Sequence, residues 1–235
     1  MSDTRWCDQA DRDALASAVA SALGQAIEAA VAARGIAVLA LSGGNTPWPA
    51  YEALSNQPLA WDRVIFIPTD DRLVSLDDPL SNVAAVARIF EPLGAWVESL
   101  TNGAVADHVA AGQAADTRLR SLPWPLDFVL LGVGGDGHTA SIFPGEDYAA
   151  AIDPCSSARA LGVMPDPLPP EAPVARVSLS LAAISAARTV AIAATGPHKR
   201  AVIEDAIEAR DRSPYPVGRV LAAIRAPVHI YWAPQ

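Results

Sequence analysis

The sequence predicts a three-layer α/β/α fold on a largely parallel sheet, and three observations point to it. Short apolar runs of strand length alternate with longer segments of helical periodicity. The runs are apolar at nearly every position, as strands covered on both faces are. Glycine-rich loops follow two of them, at the strand ends where sheets of this class gather ligands. No repeat of fixed period and no long linker interrupts the pattern, so residues 1–235 read as a single domain.

A helix is expected from Asp8 to Arg34, where Leu15, Val19, Leu23, Ile27 and Val31 recur every four residues and Gly35 ends the run. Ile36–Leu41 is too short for a helix and reads as a buried strand, followed by a helix over Trp48–Leu54 with Pro47 at its first position. Val64–Ile67 reads as a strand, Thr69–Pro79 as a polar loop and Ser81–Phe90 as a helix. An Ala-rich helix over Ala104–Arg120 precedes the strand Phe128–Gly132. Residues 144–173, rich in Pro, Asp and Ser, read as irregular around a strand at Ala160–Met164. Strands at Val177–Leu181 and Thr189–Ala194, a helix over Pro197–Ala209 and a last strand at Val228–Trp232 complete the alternation.

Composition excludes several classes. Hydrophobic residues are 51% and charged residues 18% of the 235, which rules out a disordered chain. Cys7 and Cys155 lie far apart and match no metal or CxxC spacing, which suits a reducing cytoplasm. Net charge −9 and a pI near 4.8 argue against nucleic acid as partner, though a few cations focused in one cleft still bind a small anion. No run of about 18 apolar residues free of charge or turn residues stands out, so no membrane span is expected. The opening MSDTRWCDQADRDAL lacks the basic-then-apolar order of a signal peptide. Alanine supplies 48 residues, so Ala-rich periodicity carries little information and the non-Ala residues at turns carry more.

The loop Ser42-Gly43-Gly44-Asn45-Thr46-Pro47 joins a strand to a helix. Glycines allow close approach of a ligand, the following helix offers free N–H groups, and Ser42 and Thr46 add hydroxyls. Two readings stand here: a site for an anion, most simply phosphate, or an ordinary turn capped by Thr46. No Lys-Ser/Thr follows at P-loop spacing, and the first glycine of a hydrolase nucleophile elbow is missing. Gly132–Gly137 matches GxGxxG literally, but Pro144 arrives too soon for the long helix that dinucleotide binding requires. His138, directly after that loop, is placed to act as a general base near neutral pH or as a structural hydrogen-bonding residue. His198 is placed to support a nearby anion site. Asp70-Asp71-Arg72 with Ser81-Asn82 is a further candidate, although acid pairs in loops are commonly solvated or helix-capping. Arg176 before a strand, and Lys199 at a helix start where a cation opposes the helix dipole, suit an anionic partner or plain exposure.

Together these segments resemble the 6-phosphogluconolactonase family, in the family's order from Leu39 to the last strand. Ser42–Pro47 is similar to its SGGxTP loop, Leu131–Pro144 to LGxGxDGHTASLFP, and Asp70-Asp71-Arg72 with Ser81-Asn82 to DER…SN. Arg176 before Ser178 and Gly196 before Lys199 resemble its R-x-T and G-x-x-K patterns. Asp71 stands where the family has Glu, and Ser178 where it has Thr. The resemblance implies a Rossmann-like fold of the sugar-phosphate isomerase/deaminase kind and hydrolysis of 6-phospho-D-glucono-1,5-lactone. It implies His138 as base and Asp70 as its orienting or electrostatic support. Ser42, Gly43, Gly44, Thr46, Asn82, Gly134, Asp136, Gly137, Arg72, Arg176 and Lys199 would hold the substrate. No cofactor is implied, and no metal, since His138 lacks a ligand partner at helical or hairpin spacing. The expected partner is a phosphorylated sugar lactone, with the chain a monomer or small homo-oligomer in the cytoplasm. Two alternatives share the fold. Glucosamine-6-phosphate deaminases continue IAFNEP after DGH and carry Tyr at the position of Arg72. Sugar-phosphate-sensing regulators carry a DNA-binding segment for which the stretch before residue 36 shows no pattern.

Overall fold

Ten strands and eight helices make up the described residues, 4–103 and 107–234, of the computed structural model. The first half runs β1 (Thr4–Asp8), α1 (Arg12–Arg34), β2 (Ala37–Leu41), α2 (Trp48–Ser55), β3 (Val64–Pro68), β4 (Asp70–Arg72), α3 (Asn82–Phe90) and β5 (Trp96–Val97). Then follow α4 (His108–Leu119), β6 (Phe128–Leu131), α5 (Tyr148–Ala151), β7 (Ala160–Val163), β8 (Arg176–Leu179), α6 (Leu181–Ser185), β9 (Val190–Thr195), α7 (Pro197–Ala209), α8 (Pro216–Ala223) and β10 (Val228–Ala233).

Seven strands pair in parallel in the order β1-β10-β9-β6-β2-β3-β5. Side chains of a strand alternate between faces, and here the alternation sorts the core in two. Leu39, Leu41, Phe128, Leu130 and Ala191 join the cluster with α1, α2 and α3. Val38, Ala40, Val129, Leu131 and Ile192 join the cluster with α4, α6, α7 and α8. Three layers follow. Beside them, β4-β8-β7 forms a small antiparallel sheet. Thr69 links the sheets: its N–H donates to Leu41 O at 2.9 Å and its carbonyl accepts from Leu179 N at 2.9 Å.

Several elements differ from expectation. Residues 4–8 form an edge strand, and the helix begins later, at Arg12, where the Asp11 carboxylate accepts from Ala14 N at 2.9 Å. Within the expected polar loop, Asp70–Arg72 is a strand, because its backbone pairs with β8 whatever its side chains. The expected strand end at Leu181 instead opens α6, capped by Ser180. The expected start of α4 at Ala104 lies outside the described residues, which show Asp107 capping the helix at Ala110 N. Among the described residues one segment is long and apolar enough to cross a membrane by length and composition: α1, with mean hydropathy 1.4 and Glu28 as its one charge between Ala14 and Ala33. Leu15, Val19, Leu23 and Ile27 of this helix pack against the sheet, so it serves as a core helix.

Candidate active site

The topology makes the site. From β2 the chain moves outward to β3 and β5, then returns to the other side of β2 for β6. The loops leaving β2 and β6 therefore diverge and open a crevice at the strand carboxyl ends. A cleft of about 730 Å³ lies there, lined by both loops, by β4 and β8 residues, and by Lys199.

Ser42 leaves β2 buried, and the Tyr51 hydroxyl donates to its carbonyl at 2.8 Å. Burial pushes the Tyr51 phenol up, so it stays a donor. Gly43 passes against Asn82, where an added Cβ would lie 2.1 Å from Oδ1. The helix α2 begins at Trp48 with no side-chain cap, so Thr46 does not fill the capping role; Pro49 carries no N–H and Ala50 N donates to Pro47 O at 2.9 Å. Thr46, Pro47 and Gly44 line the cleft.

Pairing of β4 with β8 sets Asp70 opposite Ser178 and Arg72 opposite Arg176. Side chains two apart share a face, so Asp70, Arg72, Arg176 and Ser178 point one way and Asp71 the other. Asp71 is fully buried outside the cleft, where it accepts from Asn82 N at 2.7 Å, Arg72 N at 3.0 Å, Thr101 Oγ1 at 3.3 Å and Ser81 Oγ at 3.4 Å. Burial pushes its carboxyl up to about 6, against the pull of those N–H donors. The departure from Glu thus falls on a structural carboxylate that organises the start of α3. Arg72 donates to Leu80 O at 2.8 Å and Asn82 Oδ1 at 3.1 Å. Arg176 is 3% exposed and donates to Ala172 O at 3.2 Å. Neither arginine is ion-paired among the described residues. Burial pulls the Arg176 guanidinium down, partly offset by Asp70 nearby.

His138 Nδ1 lies 2.5 Å from Asp136 Oδ1, and its backbone N–H donates to the same oxygen at 3.2 Å. The hydrogen bond from His138 holds the Asp136 carboxyl below its usual range. With Nδ1 engaged, Nε2 is the nitrogen left for chemistry. The ring lies so close to Gly134 that a Cβ there would meet Nδ1 at 2.2 Å. Gly137, at φ +80°, sits outside the cleft against Tyr215. Asp136, not Asp70, is the carboxylate that touches His138. Asp70 accepts from Ser141 Oγ at 2.6 Å and from Thr69 Oγ1 at 3.3 Å. Burial pulls the Lys199 ammonium down, with Arg12 adding to the effect. His198 Nε2 lies 3.0 Å from Gly135 O and is not on the cleft wall.

Buried side-chain polar atoms without a partner number three among the described residues: Ser42 Oγ, Arg72 Nε and Arg176 Nε. All three residues line this one cleft. Unsatisfied buried groups are costly and rare, and their convergence marks where a ligand belongs. The cleft is not uniformly basic: Asp70, Asp136, Asp166 and Glu171 share it with the three cations. The described residues hold no cluster of three or more His, Cys, Asp or Glu suited to a metal. Sequence reading missed the wall formed by residues 166–171 and the ring of Phe143, whose signals were only a proline-rich stretch and one aromatic in a loop.

Residues 10–232 match the family described as glucosamine-6-phosphate isomerases/6-phosphogluconolactonase. The chain is 39% identical to a 6-phosphogluconolactonase of Mesorhizobium japonicum, over 97% of this chain and 95% of that one. Its likeness to a 6-phosphogluconolactonase of Pseudomonas putida is 34% over 96% and 91%. The crystal structure of a 6-phosphogluconolactonase from Shewanella baltica superposes with TM-score 0.87 at 30% identity, covering 99% of this chain and 98% of that one. A monomeric glucosamine-6-phosphate deaminase shares the fold alone, at 18% identity and TM-score 0.74 over 98% and 97%. With its glycine loops, its paired arginines and its His138–Asp136 couple set on one sheet edge, the chain belongs to the glucosamine-6-phosphate isomerase/6-phosphogluconolactonase family.

Proposed function

We propose that this chain hydrolyses 6-phospho-D-glucono-1,5-lactone to 6-phospho-D-gluconate, the lactone-opening step of the oxidative pentose phosphate pathway, as a single-domain cytoplasmic enzyme without a cofactor. The observation that carries the proposal is the convergence of Ser42 Oγ, Arg72 Nε and Arg176 Nε on the cleft that holds His138. An anionic sugar supplies what those groups lack.

In this reading the phosphate rests on Ser42, Gly43, Gly44 and Thr46, with Arg176 and Lys199 supplying charge. Arg72 and Asn82 hold the other end of the sugar. A water attacks the lactone carbonyl carbon while His138 Nε2 takes one of its protons. Asp136 keeps Nδ1 protonated and supports the imidazolium that forms. The tetrahedral oxyanion then collapses, the bond from carbonyl carbon to ring oxygen breaks, and His138 returns its proton to that oxygen. Residues of the glycine loop after β6 line the cleft, and in this reading a backbone N–H of that loop serves the oxyanion. A lactone is already reactive, so a positioned base worth roughly 10²–10⁴ in rate suffices without a metal. Acid release from freshly generated lactone, with spontaneous hydrolysis subtracted, tests the proposal. Equal rates with and without protein would overturn it.

A further inference from the structure

Phe143 stands between the two halves of this cleft and enters the chemistry of neither. Its side chain is 5% exposed. The His138 imidazole stacks on it with ring centroids 4.2 Å apart and planes 30° from parallel. The guanidinium carbon of Arg176 lies 5.0 Å from the centre of the same ring. An aromatic face attracts cations at such distances, so one ring serves a permanent cation and one that forms during water attack.

Both neighbours are otherwise loosely held. His138 has one side-chain hydrogen-bond partner, Asp136, and a single bond at Nδ1 leaves the plane of the ring unfixed. The Arg176 side chain makes one hydrogen bond among the described residues, to Ala172 O, and leaves Nε bare. The loop is shaped to return Phe143 over the histidine five residues earlier. Thr139 Oγ1 donates to Gly132 O at 2.8 Å, Thr139 bridges to Ile142, and Ser141 N donates to Ser178 Oγ at 3.1 Å. Between them Ala140 adopts φ +49°, a left-handed conformation held at a cost by its surroundings.

We infer that Phe143 is a positioning residue for both halves of the site, fixing the plane of the His138 ring against Asp136 and seating the Arg176 guanidinium. The inference rests on the lactonase reading for its kinetic readout, and the test separates the two. Phe143→Leu keeps apolar volume without an aromatic face, Phe143→Met does the same should leucine not pack, and Phe143→Tyr keeps the ring. With 6-phosphogluconolactone, the aliphatic variant is expected to lose about 3- to 10-fold in kcat and gain about 3- to 10-fold in KM, and tyrosine to restore both. With unphosphorylated gluconolactone, the kcat loss persists. In proton NMR, ring-current displacement of the His138 ring protons is present in the parent and the tyrosine variant and absent from the aliphatic one. An aliphatic variant with parental kcat and KM overturns the inference, as does a tyrosine variant as impaired as the aliphatic one. Should the parent hydrolyse no lactone, the functional reading falls by itself. Titration with inorganic phosphate then decides about Phe143: weaker binding by the aliphatic variant supports the inference, and equal binding overturns it.

Discussion

In the proposed reaction His138, Asp136 and Lys199 divide the chemistry between proton transfer and charge. His138→Ala is expected to lower kcat by about 10²- to 10⁴-fold with little change in KM, because the imidazole acts only as the barrier is crossed. Asp136→Asn leaves an amide beside Nδ1 and withdraws the charge that supports the imidazolium, so kcat again falls while KM stays near its parent value. Steady-state kinetics on freshly made lactone check both. Lys199→Ala should act on the other parameter, raising KM for the phosphorylated lactone and leaving gluconolactone unaffected. An equal effect on the two substrates would remove Lys199 from the phosphate. His138 stood out as a candidate from the run GDGH, yet its carboxylate partner did not. Two residues apart in a turn, Asp136 and His138 meet only because the loop folds Gly134 under the ring, and the sequence shows the glycine without the contact.

Between the elements, Asp71 shows how β4 delivers function on one face and stability on the other. Its carboxyl is pushed up to about 6 mainly by burial, whereas an unfolded carboxyl titrates near 3.8. The folded state therefore holds the extra proton between those values. Stability from this group is fully present below about pH 4 and is lost as the pH rises through about 6. Asp71→Asn removes that loss, so its melting temperature relative to the parent should climb between pH 4 and pH 7. The full titration corresponds to roughly 3 kcal/mol at most. A difference independent of pH would contradict the assignment. Elements that alternate cleanly, such as β2 with its glycine loop or β6 with His138 behind it, were legible from apolar runs and breakers. The small sheet was legible only in part: strands at the places of β7 and β8 were expected, but β4, Asp70–Arg72, is charged at every position and reads as loop, because its backbone pairs with β8 while Asp70 and Arg72 line the cleft.

Across the molecule, both ends of the chain meet at one edge of the sheet, where β1 pairs with β10 from Thr4 opposite Val228 to Asp8 opposite Trp232. Arg200, in the first turns of α7, fastens this edge. Its guanidinium lies 4.5 Å from the ring of Trp6 and 4.6 Å from that of Trp232, and it bonds to Asp8 and Glu204 at 2.8 Å each. Trp232 Nε1 donates in turn to Gly196 O at 2.9 Å, just before Lys199. Arg200→Ala is expected to cost about 1–2 kcal/mol and to lower the melting temperature by a few degrees, measurable by calorimetry. The sequence hid this edge: TRWCD shows no alternation of polar and apolar residues and lies too close to the helix to show a period of its own. Its register also fixes an order of events during synthesis. Thr4 leaves the ribosome more than two hundred residues before Val228, the residue it pairs with. At roughly 5–20 residues per second, the first strand waits on the order of tens of seconds for β10, its neighbour in the sheet. The edge that joins the two ends is therefore the last piece of this sheet to close on a nascent chain.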